Sequence, residues 1–397
     1  MTLADEAYER AVEVLRQNVT PLGFKASAEL YDAVWARDAG VAVLGALLTG
    51  RDDLKEASRR TLEALAEAQS ELGQIPNWRD ATGRRNYYAT DATAWWVIAV
   101  ARLGSDAGED GLSAGLLPSV QRALTWLRYQ AIDASGLLHS PPAADWMDSS
   151  LQRWGKVFYV NVLYCAALQA AGVLRGSGAT YAADLERVRR SLNGLFWPEE
   201  GIDEEWLSGW GKRFYEEQVD PQREHYLNFL TFEAYDTRCD VLANCLAILW
   251  DLADGAKAAR ILDYVASRRL AAPYPVRVLD PPAFTADRSW NPKTDLDRPA
   301  HWRNPPFGFH NAGVWPWVGG FYVAALVKAG RHGEAEAALE RLAAACRVGR
   351  QGEWEFNEWL DGRTGEPLGA VRQTWSAAGY IIAYRAVADR AVSWAAG

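Results

Sequence analysis

The most constraining feature of this chain is the spacing of its apolar residues. Steps of three and four recur in about a dozen segments between residues 3 and 389, and hardly any stretch alternates as a strand would. The spacing predicts helices over residues 3–18, 37–49, 53–71, 90–103, 117–131, 156–173, 179–194, 238–253, 256–269, 313–329, 333–347 and 373–389. Every second segment is apolar around its whole circumference, as in VAVLGALL, ATAWWVIAVA, VNVLYCAALQAAGVL, VLANCLAIL, VGGFYVAALV and SAAGYIIAYRAV. A helix of that kind must be covered on all sides. Its partners, such as DDLKEASRRTLEALAEAQ and GEAEAALERLAAA, carry one apolar and one charged face. Six covered helices and six amphipathic ones predict an all-α fold, an (α/α)6 barrel with an inner and an outer ring.

The connections agree with that arrangement. Those leaving an inner helix are mostly short, as at residues 50–52 and 330–332, and those entering one are long: 19–36, 72–89, 132–155, 195–237, 270–312 and 348–372. In such a barrel all six long loops gather at one end, over the N-termini of the inner helices. Loops beyond about 12–15 residues are usually functional or disordered, and these are too aromatic for disorder. No linker rich in Pro, Gly or Ser splits the chain, so residues 1–397 read as one catalytic domain.

Several function classes fall away on composition. The chain has 42 Lys and Arg against 51 Asp and Glu, a net charge of −9, with no basic stripe for nucleic acid or an anionic membrane. No run reaches the ~18 apolar residues of a membrane span, and the first twenty residues lack the apolar region of an export signal, which predicts a cytoplasmic protein. The four cysteines form no CxxC pair and read as reduced core residues. The excess lies in tryptophan, 19 residues against 2 Met, of which eleven fall in the long loops. Indoles beside carboxylates, with only five histidines and no metal-ligand cluster, fit glycoside hydrolysis of a small carbohydrate by two carboxyl groups, with no metal and no cofactor. Oligomeric state is not legible.

Four acidic constellations stand in the long loops or at the start of inner helices: Trp35-Ala36-Arg37-Asp38, Thr90-Asp91, the Asp145-Trp146-Met147-Asp148 run, and the stretch from Glu353 to Trp359 that holds Glu358. Each has a structural reading as well. Asp91 could cap the helix it opens, and Asp38 could pair with Arg37.

The segment DGRTGEPLGAVRQTWSAAGYIIA at residues 361–383, preceded by Asn357-Glu358-Trp359, closely resembles the C-terminal signature of the neutral/alkaline invertases, sucrose hydrolases built on an (α/α)6 barrel. Tyr31-Asp32, Arg37-Asp38, Met147-Asp148, the run DVLANCLAIL from Asp240, His310-Asn311 and Trp315-Pro316 follow the same pattern in order. Similar signatures occur in amylo-α-1,6-glucosidases and in mannosyl- and glucosylglycerate hydrolases. The WARD and YATDATAWW stretches look closer to the debranching group.

The resemblance implies an inverting hydrolase with Asp148 as general acid and Glu358 as general base. The two carboxyls of such a pair stand about 6.5–9.5 Å apart, leaving room for the attacking water. Asp148 must then be held protonated, by burial among aromatics such as Trp146 and Trp154, and Glu358 must stay ionised. Arg37 and Asp38 match the pair that binds sugar hydroxyls, and Asp91 joins the substrate-binding candidates. Trp35, Trp146, Trp315, Trp317, Trp359 and Trp375 are candidates for ring stacking or for core packing. His310, Asn311 and Gln373 match positions at the rim of the site.

The chain departs from invertases at Trp359-Leu360, where they carry two tyrosines, and at residues 149–153, Ser-Ser-Leu-Gln-Arg, where they carry a basic stretch. The aglycone is therefore open. A small α-glucoside such as sucrose or a glucosyl-polyol ranks first, and an α-1,6-linked oligosaccharide of debranching type second. Two other classes share the barrel: sugar 2-epimerases, which need two of His139, His225, His301, His310 and His332 to meet in the mouth, and a non-catalytic sugar-binding barrel.

Overall fold

In the computed structural model, which describes residues 2–107, 110–148, 151, 153–174, 178–199, 215–232, 234–287, 290 and 303–395, the alternation of covered and amphipathic segments becomes two concentric rings. The inner ring is α2 (Ala36–Leu48), α4 (Asp91–Ala107), α6 (Phe158–Gly172), α8 (Val241–Leu249), α10 (Pro316–Lys328) and α12 (Thr374–Asp389). Each inner helix packs on the next, and α12 closes the ring against α2. The outer helices are α1 (Leu3–Gln17), α3 (Asp52–Glu67), α5 (Asp110–Arg128), α7 (Gly178–Phe196), α9 (Gly255–Ser267) and α11 (His332–Arg347). The (α/α)6 barrel expected from the periodicity is the fold observed.

Burial explains the two compositions. Every residue of α10 from Pro316 to Val327 is buried, whereas α3 buries only one stripe, including Leu54, Ala57, Leu62 and Leu65. Glycine sets how closely the inner helices approach. A Cβ on Gly320 would lie 2.1 Å from the carbonyl oxygen of Gly379, so α10 and α12 cross backbone against backbone. The first and last helices are clasped together, with the Tyr380 hydroxyl donating to the Ala4 carbonyl at 2.9 Å and the Tyr384 hydroxyl to Asp5 at 3.0 Å.

Several boundaries differ from expectation by three residues or more, two of them instructively. Helix α5 begins at Asp110 and runs through Pro118, a residue that reads in sequence as a first-turn proline. Helix α8 stops at Leu249, and Asp251 beyond it takes a left-handed φ of 56°. The long loops also carry short ladders: Val34–Trp35 with Trp78–Arg79 and Arg85–Asn86, Lys156–Val157 with Phe229–Leu230 and Tyr235–Asp236, Cys239–Asp240 with Leu279–Asp280, and Trp359–Leu360 with Pro367–Leu368. Two-residue strands are too short to leave an alternation in sequence. Three of them lead straight into α2, α6 and α8, so they fix where those inner helices begin and which side chains face the mouth. Among the described residues no helix is long and apolar enough to cross a membrane, and all four cysteines are buried as free thiols.

Candidate active site

The first turns of α2 and α12 and the loops entering α2, α6, α10 and α12 enclose a cavity of about 450 Å³, counting the solvent at its mouth. Trp35, Arg37, Asp38, Trp146, Asp148, His310, Trp315, Glu358, Gln373 and Trp375 line it, together with Ala26, Tyr31 and Phe309. Asp91, Asn311, Trp317 and Trp359 do not.

Glu358 precedes the Trp359–Leu360 strand and is almost fully buried. The Ala370 amide donates to its Oε2 at 2.9 Å and the Tyr31 hydroxyl approaches Oε1 at 3.4 Å. Burial pushes its pKa up to about 7; those two hydrogen bonds pull the other way and the charge of Asp148 adds to the rise. The carboxylate also explains a glycine, because Gly369 has a φ of 74° and a Cβ there would lie 2.6 Å from Oε2. Asp148 shares the cavity wall and is only partly buried.

Asp38, in the first turn of α2, is buried, and its Oδ1 has no hydrogen-bond partner among the described residues. Burial raises its pKa to about 7, opposed by Arg37 and reinforced by Glu358. The expected ion pair with Arg37 is not formed. Arg37 instead turns both arms to Asp91, Nε to Oδ2 at 2.7 Å and Nη2 to Oδ1 at 3.0 Å. Tyr159 donates to the same Oδ2 at 3.1 Å and receives the Trp95 indole N–H at 2.8 Å. Asp91 is therefore a buried partner and not a cavity residue, since its carboxylate faces the Arg37 fork and the Tyr159 hydroxyl, both on neighbouring inner helices.

The aromatic wall centres on Trp146. Its ring meets His310, Trp315 and Trp317 edge-on at 5.1, 5.4 and 5.3 Å, and its buried Nε1 has no partner among the described residues. His310 stacks on Trp315 at 5.2 Å. Trp317 is fully buried, stacked flat on Trp375 at 4.7 Å, so only the upper ring of that pair reaches the cavity. Trp359 packs edge-on against the lining residue Phe309 at 5.7 Å without lining the cavity itself. Asn311 is a structural brace: it accepts from the Ala283 amide and donates to the Ala283 and Asn304 carbonyls. Trp154 packs on Phe229 at 5.2 Å and does not shield Asp148 from the cavity side. Gln373 caps the approach to α12, its amide donating to the Ala26 carbonyl at 2.9 Å and accepting from Trp375 Nε1 at 3.2 Å.

The loop that carries Asp148 is held from beneath. Asp145 accepts the Met147 amide at 2.8 Å and a bidentate grip from Arg153, which also reaches Asp240 at 2.5 Å and Asn228 at 3.2 Å. Arg153 thus belongs to the protein interior, not to an aglycone surface. Backbone strain gathers in the same loops: Phe307, Phe309, Ala312, Trp354, Phe356 and Arg372 all have positive φ, and they flank His310, Glu358 and Gln373.

Sequence reasoning missed Tyr31 as a site residue, although it stands in a family motif, and missed Phe309 and Ala26, which carry no chemical signal. The paired histidines an epimerase needs are not found among the described residues. His310 alone of them lines the cavity; His225 is buried against Tyr264, His139 faces Asp133, His332 opens an outer helix, and His301 lies outside the described residues.

Comparison with known proteins agrees with this geometry. Residues 12–382 match the model of the family described as amylo-alpha-1,6-glucosidase. The probable alkaline/neutral invertase D of Arabidopsis thaliana is 32% identical over 159 residues, which is 39% of this chain and 28% of that protein. Cytosolic invertase 1 of Oryza sativa subsp. japonica is 31% identical over 39% of this chain and 26% of its own. The matches thus span less than a third of these relatives' length. Among solved structures, the GH63 mannosylglycerate hydrolase from Thermus thermophilus, in complex with Tris and D-glycerate, superposes with a TM-score of 0.71 at 15% identity, covering 95% of this chain and 99% of that one. A bacterial glucoamylase complexed with acarbose gives 0.66 at 14% identity over 97% of this chain and 56% of its own. The chain belongs to the amylo-alpha-1,6-glucosidase family of glycoside hydrolases, on an (α/α)6 barrel.

Proposed function

We propose that this protein hydrolyses the terminal α-glucosidic bond of a small sugar with inversion, using Asp148 as general acid and Glu358 as general base. The observation that carries this reading is that Asp148, Glu358 and Asp38, whose Oδ1 has no partner among the described residues, line one aromatic-walled cavity. In the reaction Asp148 transfers its proton to the glycosidic oxygen as the bond to the anomeric carbon breaks. Glu358 takes a proton from the water that attacks the opposite face, so the sugar leaves as the β anomer. Asp38 accepts from a sugar hydroxyl, Trp146 Nε1 donates to another, and Trp35 and Trp375 offer their rings to the apolar face of the pyranose.

A raised pKa suits a base that works near neutrality: Glu358 is ionised above about pH 7 and there takes up a proton more readily than an ordinary glutamate. The family description favours an α-1,6 bond as the second reading. Four free buried thiols and the name of one relative support an intracellular setting.

The test is a panel of sucrose, trehalose, glucosylglycerate, isomaltose and panose, assayed with the wild type and with Glu358→Gln and Asp148→Asn. Each substitution is expected to lower kcat on the preferred substrate by about 10²–10⁴-fold with folding intact. Preference for isomaltose or panose selects the debranching type. Near wild-type turnover in either variant removes that residue from its role.

A further inference from the structure

Residues 140 and 155 exchange two backbone hydrogen bonds, Ser140 N to Gly155 O at 2.8 Å and Gly155 N to Ser140 O at 2.9 Å, and so pin the two ends of the loop that presents Asp148. Inside that loop a second fastening runs between charged side chains. Asp145 is 1% exposed and Arg153 2%, and the guanidinium lies against both carboxylate oxygens, Nε at 2.9 Å from Oδ2 and Nη2 at 2.7 Å from Oδ1. The same Oδ1 receives the amide of Met147, the residue before Asp148. The remaining arm of Arg153 crosses to Asp240, whose other oxygen caps α8 by accepting the Ala243 amide at 3.0 Å. A buried charge trio of this kind is seldom retained for stability alone, because apolar residues of the same size would fold as well or better. What it supplies is a fixed position for the peptide at Met147 relative to the barrel.

We propose that Asp145 and Arg153 are positioning residues for the acid step: they hold the Trp146–Met147 peptide, one residue before Asp148, against the N-cap of α8, so that the Asp148 carboxyl meets the glycosidic oxygen. The inference rests on Asp148 being the general acid. A lysine at position 153 is too narrow to hold Asp145 with two parallel bonds while reaching Asp240, and an asparagine at 145 keeps the Met147 contact but loses the charge that fixes Arg153.

The experiment compares two leaving groups. Fluoride departs without a proton, whereas a sugar alkoxide needs one, so α-glucosyl fluoride bypasses the general acid. Asp145→Asn and Arg153→Lys are measured on α-glucosyl fluoride and on the best glucoside of the panel, with circular dichroism as the fold control. Each variant is expected to lose on the order of 10–100-fold in kcat on the glucoside, and far less on the fluoride. Adding Asp145→Asn to Asp148→Asn is expected to produce no further loss on the glucoside, since the group being positioned is already gone.

Equal losses on both substrates, or a full additional loss in the double variant, mean that the trio merely holds the fold, and the inference is overturned while the proposed function stands. The two failures are separable in one control. If Asp148→Asn alone loses as much on the fluoride as on the glucoside, Asp148 is not the acid, and the proposed function and this inference fall together.

Discussion

Arg37 of α2, which lines the cavity, holds Asp91 of α4, which does not, with two parallel bonds of 2.7 and 3.0 Å between neighbouring inner helices. It leaves Asp38, one residue on, facing the cavity with an unpaired oxygen. Two adjacent residues that look interchangeable as sugar binders therefore have different work. Arg37 is held by Asp91, and the proposed function leaves Asp38 for the sugar.

From this follows a contrast between two asparagine substitutions. Asp91→Asn strips the charge from a buried pair and is expected to destabilise the fold by about 3–5 kcal/mol, read from urea denaturation. Asp38→Asn removes a carboxylate that no cation pairs directly. It is expected to leave the urea midpoint unchanged or higher and to lower kcat/KM by about 10²-fold or more.

The base limb of the reaction should lie unusually high. As the proposed base Glu358 would work as a carboxylate, and burial lifts its pKa from 4.5 to about 7, so activity is expected to fall as pH drops through about 7 rather than through the ordinary glutamate range. The measurement is kcat/KM from about pH 5 to about pH 9. An acid limb near pH 4.5 would mean that Glu358 is not the base or is not desolvated during turnover.

The same shift predicts a stability trade. Because Glu358 binds its proton more tightly folded than unfolded, the ionised side chain opposes folding above about pH 7, and this penalty vanishes below about pH 4.5. Glu358→Gln can still accept from the Ala370 amide and donate to Tyr31. It is expected to raise stability at pH 8 by about 1–3 kcal/mol, and to match the wild type at low pH, in parallel chemical denaturation series.

Tryptophans separate by position. Trp317→Ala empties a fully buried site and is expected to cost about 3–5 kcal/mol of stability. Trp35, partly exposed at the cavity wall, is expected on Trp35→Leu to raise KM by about three- to tenfold with little change in thermal midpoint.

The inner and outer rings were legible because a helix buried on every side has a composition no other element needs. The loop ladders were not, since two residues cannot show a period. Asp148, Glu358, Asp38 and the rim residues His310 and Gln373 were readable through motif resemblance, and all line the cavity. Partnerships across the sequence were not readable: nothing local to Arg37 points to Asp91, 54 positions away. Trp317 and Trp375 are each the second residue of an inner helix, and only their stacking order decides which one reaches the ligand. Arg153 stands in the run at residues 149–153 that departs from the invertase pattern, and nothing in that run shows that its side chain turns inward to two buried carboxylates.

The stereochemistry of the released sugar tests the central claim most directly. Proton NMR of the preferred α-glucoside during the first minutes of hydrolysis is expected to show β-glucose accumulating before mutarotation brings in the α anomer, as single displacement by a Glu358-activated water requires. Release of α-glucose first would contradict the account, because it would demand a covalent or front-face route that a general base behind the anomeric carbon does not provide.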